Sequence, residues 1–196
     1  MDKAHVKTAL RDAHAALEAL MQNDKTLDAI VEAARLMADA VKNDGKVMSC
    51  GNGGSLCDAM HFAEEMTGRY RSDRRPYAAL AISDVSHMAC VGNDYGYEEV
   101  FSRYVQAHGH KNDVLLAITT SGTSKNIVKA AKVAREKGVK VVALTGRDQT
   151  PITELADVAI VTPAGHWADR VQELHIKCIH ILIELIEREL DPQNYA

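Results

Sequence analysis

The stretch Val47-Met48-Ser49-Cys50-Gly51-Asn52-Gly53-Gly54-Ser55 constrains this chain more than any other. A short apolar run ends in a glycine-rich turn, and the turn opens into a helical pattern over Leu56 to Tyr70. A strand feeding such a turn leaves backbone N–H groups free at a helix N-terminus, where the helix dipole also favours negative charge. Glycines let the backbone approach a ligand closely. The helix carries His61 and Glu65 four residues apart, hence on one face. One element therefore offers an anion cradle and, one to two turns further in, a polar pair.

The remaining pattern supplies a frame for this unit. Residues Lys3 to Lys42 read as two amphipathic helices broken at Asn23-Asp24, with Val6, Leu10, Leu17, Leu20 and Met21 on one stripe and Leu27, Ile30, Val31, Ala34 and Met37 on the other. Such a hairpin packs either against another subunit or over its own sheet. Strands are expected at Lys46 to Cys50, Ala78 to Ile82 (buried), Asp113 to Thr119, Lys140 to Thr145 and Val158 to Val161. Asp84-Val85-Ser86 is a helix-start signal, and the helical segments after it break at Gly92-Asn93-Asp94-Tyr95-Gly96. Lys125 to Lys137 is a helix stopped by Gly138, and Asp169 to about Leu190 is a long one, apolar nearly all round from Cys178 to Ile186. Strands alternating with helices imply an α/β fold: a doubly wound, five-stranded parallel sheet in the order 2-1-3-4-5. The chain reads as one domain over 1–196, with 1–44 as the helical hairpin and 45–196 as the α/β core. In that order the first and third strands flank the switch point, so Gly51–Ser55 and Thr119–Ser124 converge on one crevice.

The second loop, Thr119-Thr120-Ser121-Gly122-Thr123-Ser124, is dense in hydroxyls. Phosphate is bound by many short donors at a helix N-terminus. One cap needs one hydroxyl, so four (Thr119, Thr120, Ser121 and Ser124) favour a phosphomonoester over simple capping. Neither loop reads GxxxxGK[ST] or GxGxxG, which points to a sugar phosphate rather than a nucleotide. His61 and Glu65 are spaced to share a metal or a proton; Glu64 points about 100° away from Glu65. The last helix holds Gln172, Glu173, His175 and His180. His180, in the apolar setting Ile179-His180-Ile181-Leu182, reads as a buried histidine needing a partner, structural or functional. Gln172 and His180, two turns apart, share a side. Arg69, Asn93, Asp94 and Asp169 are polar groups of loops and helix ends.

A net charge of −4 argues against a broad nucleic-acid surface. No apolar run is long enough to span a bilayer, and Met1-Asp2-Lys3-Ala4-His5 lacks a signal-peptide pattern. Cys50, Cys57, Cys90 and Cys178 form no CxxC pair, and two fall in apolar runs, as buried free thiols of a reducing compartment do. A cytoplasmic protein is the expectation.

Taken together, Cys50-Gly-Asn-Gly-Gly-Ser55, His61-Phe-Ala-Glu-Glu65, Thr67-Gly-Arg-Tyr70, Gly92-Asn-Asp94, Thr119-Thr-Ser-Gly-Thr-Ser124, Asp169-Arg170 and Gln172-Glu-x-His-x-Lys177-x-x-His180 resemble the phosphoheptose isomerase family of the sugar isomerase (SIS) fold, in register over nearly the whole chain. The chain departs from the family at Leu56, where a histidine is common, and at Thr119 and Thr123, where serine and asparagine are common. Hydroxyls persist at the phosphate contacts, so altered affinity at most is expected there. The resemblance implies interconversion of sedoheptulose 7-phosphate and D-glycero-D-manno-heptose 7-phosphate, the entry to lipopolysaccharide heptose. It implies a homotetramer with sites where subunits meet, and zinc at His61, Glu65, Gln172 and His180. It implies Glu65 and His180 as the acid–base pair. For substrate contacts it implies Asn52, Gly53, Gly54, Ser55, Asn93, Asp94, Thr119, Thr120, Ser121 and Ser124, with Glu65, Arg69, Asp169 and Gln172. The alternative is a non-catalytic SIS scaffold that binds a replication initiator; such relatives lack the HxxxE pair and the final histidine.

Overall fold

The computed structural model describes residues 2–163 and 165–196. Helices α1 (Lys3–Met21) and α2 (Asp24–Lys42) precede strand β1 (Val47–Cys50) and helix α3 (Gly54–Thr67). Strand β2 (Ala79–Ala81) leads to α4 (Val85–Asp94), a 3-10 turn at Tyr97–Glu99, and α5 (Val100–His108). Then come β3 (Val114–Thr119), α6 (Lys125–Glu136), β4 (Lys140–Thr145), α7 (Pro151–Leu155), β5 (Val158–Val161) and α8 (Ala168–Leu190). The five strands pair in parallel in the order β2-β1-β3-β4-β5, as the pattern implied.

Local chemistry fixes the boundaries. Asn23 caps α2 by accepting from the Thr26 amide, and the Thr26 hydroxyl donates to Val161 O, tying α2 to β5. Asp84 caps α4 through the His87 amide. Period-two alternation along β3 sends Val114, Leu116 and Ile118 to one face of the sheet and Leu115 and Ala117 to the other. The first face packs under α2, α3 and α8 through Ile30, Met37, Phe62, Leu174, Ile179 and Leu182. The second packs under α5 and α6 through Phe101, Val105, Ile127 and Ala131. Among the described residues no helix is long and apolar enough to cross a membrane.

The structure departs from the sequence pattern in several places. Strand β2 is half-buried rather than buried, because it is an edge strand of the sheet. Gly92, Asn93 and Asp94 belong to α4, and the break falls at Tyr95-Gly96, where Gly96 takes φ 91°. Helix α7 was not anticipated; Thr150 and Thr153 start it with a capping box, and Pro151 opens its first turn. The apolar segment Cys178 to Ile186 buries Cys178, Ile179, Leu182, Ile183 and Ile186, while Ile181 remains 41% exposed. The hairpin divides its roles: α2 covers the sheet, whereas Val6 and Leu10 of α1 are exposed. Of the four free cysteines, Cys50 and Cys178 are buried, their thiols pushed up to about 12 by burial, and Cys57 and Cys90 are exposed.

The fully buried histidine of α8 is His175 rather than His180. Neither ring nitrogen of His175 has a hydrogen-bond partner among the described residues. Burial pushes its pKa from 6.5 down to about 4. Between those values the unfolded chain binds a proton that the folded chain excludes. Stability from this group is therefore complete above about pH 6.5 and is lost as pH falls toward 4. By pH 5 the loss is expected to reach about 2 kcal/mol. Urea unfolding at pH 7.5 and pH 5, at one protein concentration, should show that much more acid loss in the native protein than in His175→Leu.

Candidate active site

The two loops meet at the switch point between β1 and β3, at the carboxyl ends of the strands. Gly53 takes φ 55° to turn the chain from β1 into α3. A Cβ at Gly54 would stand 2.8 Å from the Gln172 amide, so glycine here lets α8 lay Gln172 against the start of α3. Across the crevice, Ser124 occupies the N-cap of α6 without a side-chain capping bond. Its hydroxyl instead meets Thr119 Oγ1 at 3.0 Å, and Thr119 Oγ1 lies 3.5 Å from Ser121 Oγ. Thr123, exposed, turns its hydroxyl to Ser121 at 3.1 Å. Asn52, Ser55, Ile118, Thr119, Thr120, Ser124 and Gln172 enclose a cavity of about 60 Å³. Hydroxyls and amides that converge at a helix N-terminus offer the short donors and the dipole that an anion needs.

Sequence reasoning missed what braces the first loop. Asn52 and Asn126 exchange two amide hydrogen bonds, each 2.9 Å, and Tyr97 donates to Asn52 Oδ1 at 3.1 Å. Asn126 is buried at the first turn of α6, so the pair locks the two loops together. A single asparagine inside a helical pattern carries no signal of such a cross-link.

Helices α3 and α8 run in the same direction, with Gly54 beside Gln172 and His61 beside His180. His61 Nε2 lies 2.9 Å from His180 Nε2 and 3.8 Å from Glu65 Oε1. The 2.9 Å contact needs one nitrogen protonated and the other bare. Burial first, then the charge of His61, holds His180 below the ordinary imidazole value, so it is neutral at neutral pH. Burial, then Glu64, raises Glu65, while His61 and Arg74 oppose the rise. Glu64, expected to point away, reaches His61 Nδ1 at 3.1 Å from the exposed side. Asp58, one turn before His61, has a buried oxygen with no partner among the described residues, and burial pushes it up to about 6.

The expected metal positions divide. His61 Nε2 stands between His180 Nε2 at 2.9 Å and Glu65 Oε1 at 3.8 Å, and among the described residues the ligand atoms that all lie within 4.8 Å of one another are those of His61, Glu64 and Glu65. This N/O donor set fits zinc. Gln172 sits eight residues before His180, about 12 Å along the helix, and lines the loop cavity instead. Arg69, Asn93, Asp94 and Asp169 are exposed in the single chain; Asn93 bonds its neighbour Asp94 at 2.7 Å, and Asp169 lies 4.0 Å from Arg170.

The model of the SIS domain family matches residues 10–146. The chain is 58% identical to a phosphoheptose isomerase of Proteus mirabilis, over 95% of this chain and 97% of that one. Among solved structures, a phosphoheptose isomerase from Neisseria gonorrhoeae superposes with a TM-score of 0.81 at 41% identity, covering 94% of this chain and 96% of that one. Another from Francisella tularensis superposes with a TM-score of 0.90 at 32% identity, covering 96% and 100%.

Proposed function

The chain belongs to the SIS-domain family, among its phosphoheptose isomerases, and on that premise we propose that it interconverts sedoheptulose 7-phosphate and D-glycero-D-manno-heptose 7-phosphate, a step of heptose biosynthesis. The observation that carries this reading is identity above one half with enzymes of that name over nearly the whole of both chains. The convergence of Glu65, His61 and His180 beside an oxyanion site supports an enzyme over a binding scaffold.

Aldose–ketose isomerisation removes a proton beside a carbonyl and returns it one carbon away through an enediol. In this reading the loop cavity anchors the 7-phosphate through Ser55, Thr119, Thr120 and Ser124, with Ser121 beside Thr119 just outside it and Asn52, Gly53 and Gly54 along the first loop. Glu65 takes the proton from C1 and returns it to C2. Its raised pKa brings it closer to working pH than an exposed carboxylate. His180, neutral and hydrogen-bonded to His61, donates to the forming hydroxyl at O2 and recovers a proton from O1. Zinc held by His61, Glu65 and His180 would polarise the sugar oxygens as a Lewis acid. Gln172, expected as a further ligand, stays with the loop cavity at the other end of the seam.

Assembly as a homotetramer is part of the proposal. Its support is the apolar surface of one chain, including Val6, Leu10, Met21, Met60 and Ile181. In a tetramer, neighbouring copies are expected to bring Arg69, Asn93, Asp94 and Asp169 toward substrate. Four free cysteines, two of them exposed, agree with a cytoplasmic setting.

Incubation with sedoheptulose 7-phosphate in deuterated water, followed by proton NMR, should give the aldoheptose labelled at C2. Glu65→Gln should lower kcat by about 10²- to 10⁴-fold and abolish the label; near-normal turnover would remove Glu65 as the base. A chelator arm in the same assay ranks the metal. Ser124→Ala, which removes one donor to phosphate, should raise KM by roughly tenfold or more and leave kcat within about threefold.

A further inference from the structure

Arg74 lies in the loop after α3 and is the hub of a buried charged cluster outside the crevice. Its side chain is 0% exposed, and that of its partner Glu187 on α8 is 1% exposed. The guanidinium donates from Nη2 to Glu65 O at 2.7 Å, and from Nη1 to Met66 O at 3.0 Å and Gly68 O at 2.7 Å. From Nε it donates to Glu187 Oε1 at 2.7 Å, and its plane lies 4.1 Å over the Tyr77 ring. Tyr195, from the turn after α8, donates to the other Glu187 oxygen at 2.6 Å.

The placement has a chemical consequence. The last carbonyls of a helix have no partner within it, and a cation there also meets the negative end of the dipole. Arg74 satisfies the last turn of α3, the turn that carries Glu65, and fastens it through Glu187 to α8, the helix that carries His180. Glu187 stands seven residues past His180, about 10 Å along the same rod. A fork of five N–H groups can hold three carbonyls and a carboxylate together; the single ammonium of lysine cannot.

We propose that Arg74, clamped to Glu187, is a positioning residue that sets the Glu65 carboxylate against His180. The inference rests on the reading of Glu65 and His180 as the acting pair. A displacement near 1 Å between reacting groups costs about 100-fold in rate while leaving remote contacts to substrate intact. The phosphate loops lie at the other end of α3, so the effect belongs to kcat rather than KM.

Two variants test it in the NMR isomerase assay, with folding followed by near-ultraviolet circular dichroism. Arg74→Lys keeps a positive charge beside Glu187 but loses the fork. The double variant Arg74→Met with Glu187→Leu removes both buried charges together, which proteins tolerate far better than removing one, and it decides the question should the lysine variant unfold. Both are expected to lose about 10- to 100-fold in kcat with KM within about threefold of the native value. Folded variants with native kcat would reduce the clamp to a structural bond. Recovery of kcat in the double variant would trace the lysine defect to an ill-paired charge, and a KM that rises as kcat falls would place it in substrate binding; either overturns the proposal. Glu65→Gln, run alongside, separates the two readings. If it stays active, the acid–base assignment fails; if it is inactive while the Arg74 variants are active, only the clamp fails.

Discussion

The site depends on two helices more than a hundred residues apart in the chain lying side by side in the same direction. Helix α3 leaves the sheet at the first loop and α8 comes down beside it, so one register brings Gly54 to Gln172 and His61 to His180. The close approach at Gly54 holds one end of this seam, and the Arg74–Glu187 pair holds the other. Phe62 and Met66 of α3 and Leu174, Ile179 and Leu182 of α8 belong to one apolar core, which sets how the two helices rotate.

Two kinds of chemistry share that seam without conflict because the helix axis separates them. Anion-binding groups gather at the N-termini of α3 and α6, where free amides and the dipoles favour negative charge. Glu65 and His180 lie two to three turns away, where burial destabilises their charged forms, raising one pKa and lowering the other. A carboxylate whose pKa is raised and an imidazole whose pKa is lowered are shifted in the directions that favour proton transfer. The phosphate of a seven-carbon sugar is remote from C1 and C2, and the proposed reaction likewise assigns its anchor and its proton transfer to separate turns of these helices.

Much of this was legible before any coordinates, for reasons that differ by residue. The sheet order followed from strand–helix alternation and from two loops rich in glycine and hydroxyls, each a local signal. The HxxxE pair was legible because helical periodicity alone puts His61 and Glu65 on one face. What escaped was tertiary. The burial of His175 and the partial exposure of His180 depend on which side of α8 meets α3, and both histidines sit in apolar surroundings in sequence. The Asn52–Asn126 and Arg74–Glu187 links join residues 74 and 113 positions apart and leave no periodic trace. Strand β2 read as buried because apolar composition does not distinguish an edge from a centre.

The residues that the single chain leaves outside the crevice follow a pattern that bears on the proposed assembly. Arg69, Asn93, Asp94 and Asp169 are expected substrate contacts, yet all four are exposed at helix ends or in loops. Met60 on α3 and Ile181 on α8, neighbours in sequence of His61 and His180, are exposed apolar groups. A catalytic seam rimmed by bare apolar side chains would be open to water, which weakens every electrostatic interaction within it. Covering Met60 and Ile181 with another copy would bury that rim and lower the local dielectric around Glu65 and His180. On this argument the proposed oligomerisation would belong to the chemistry as much as to stability, since the groups proposed to move the proton lie beside that exposed apolar rim.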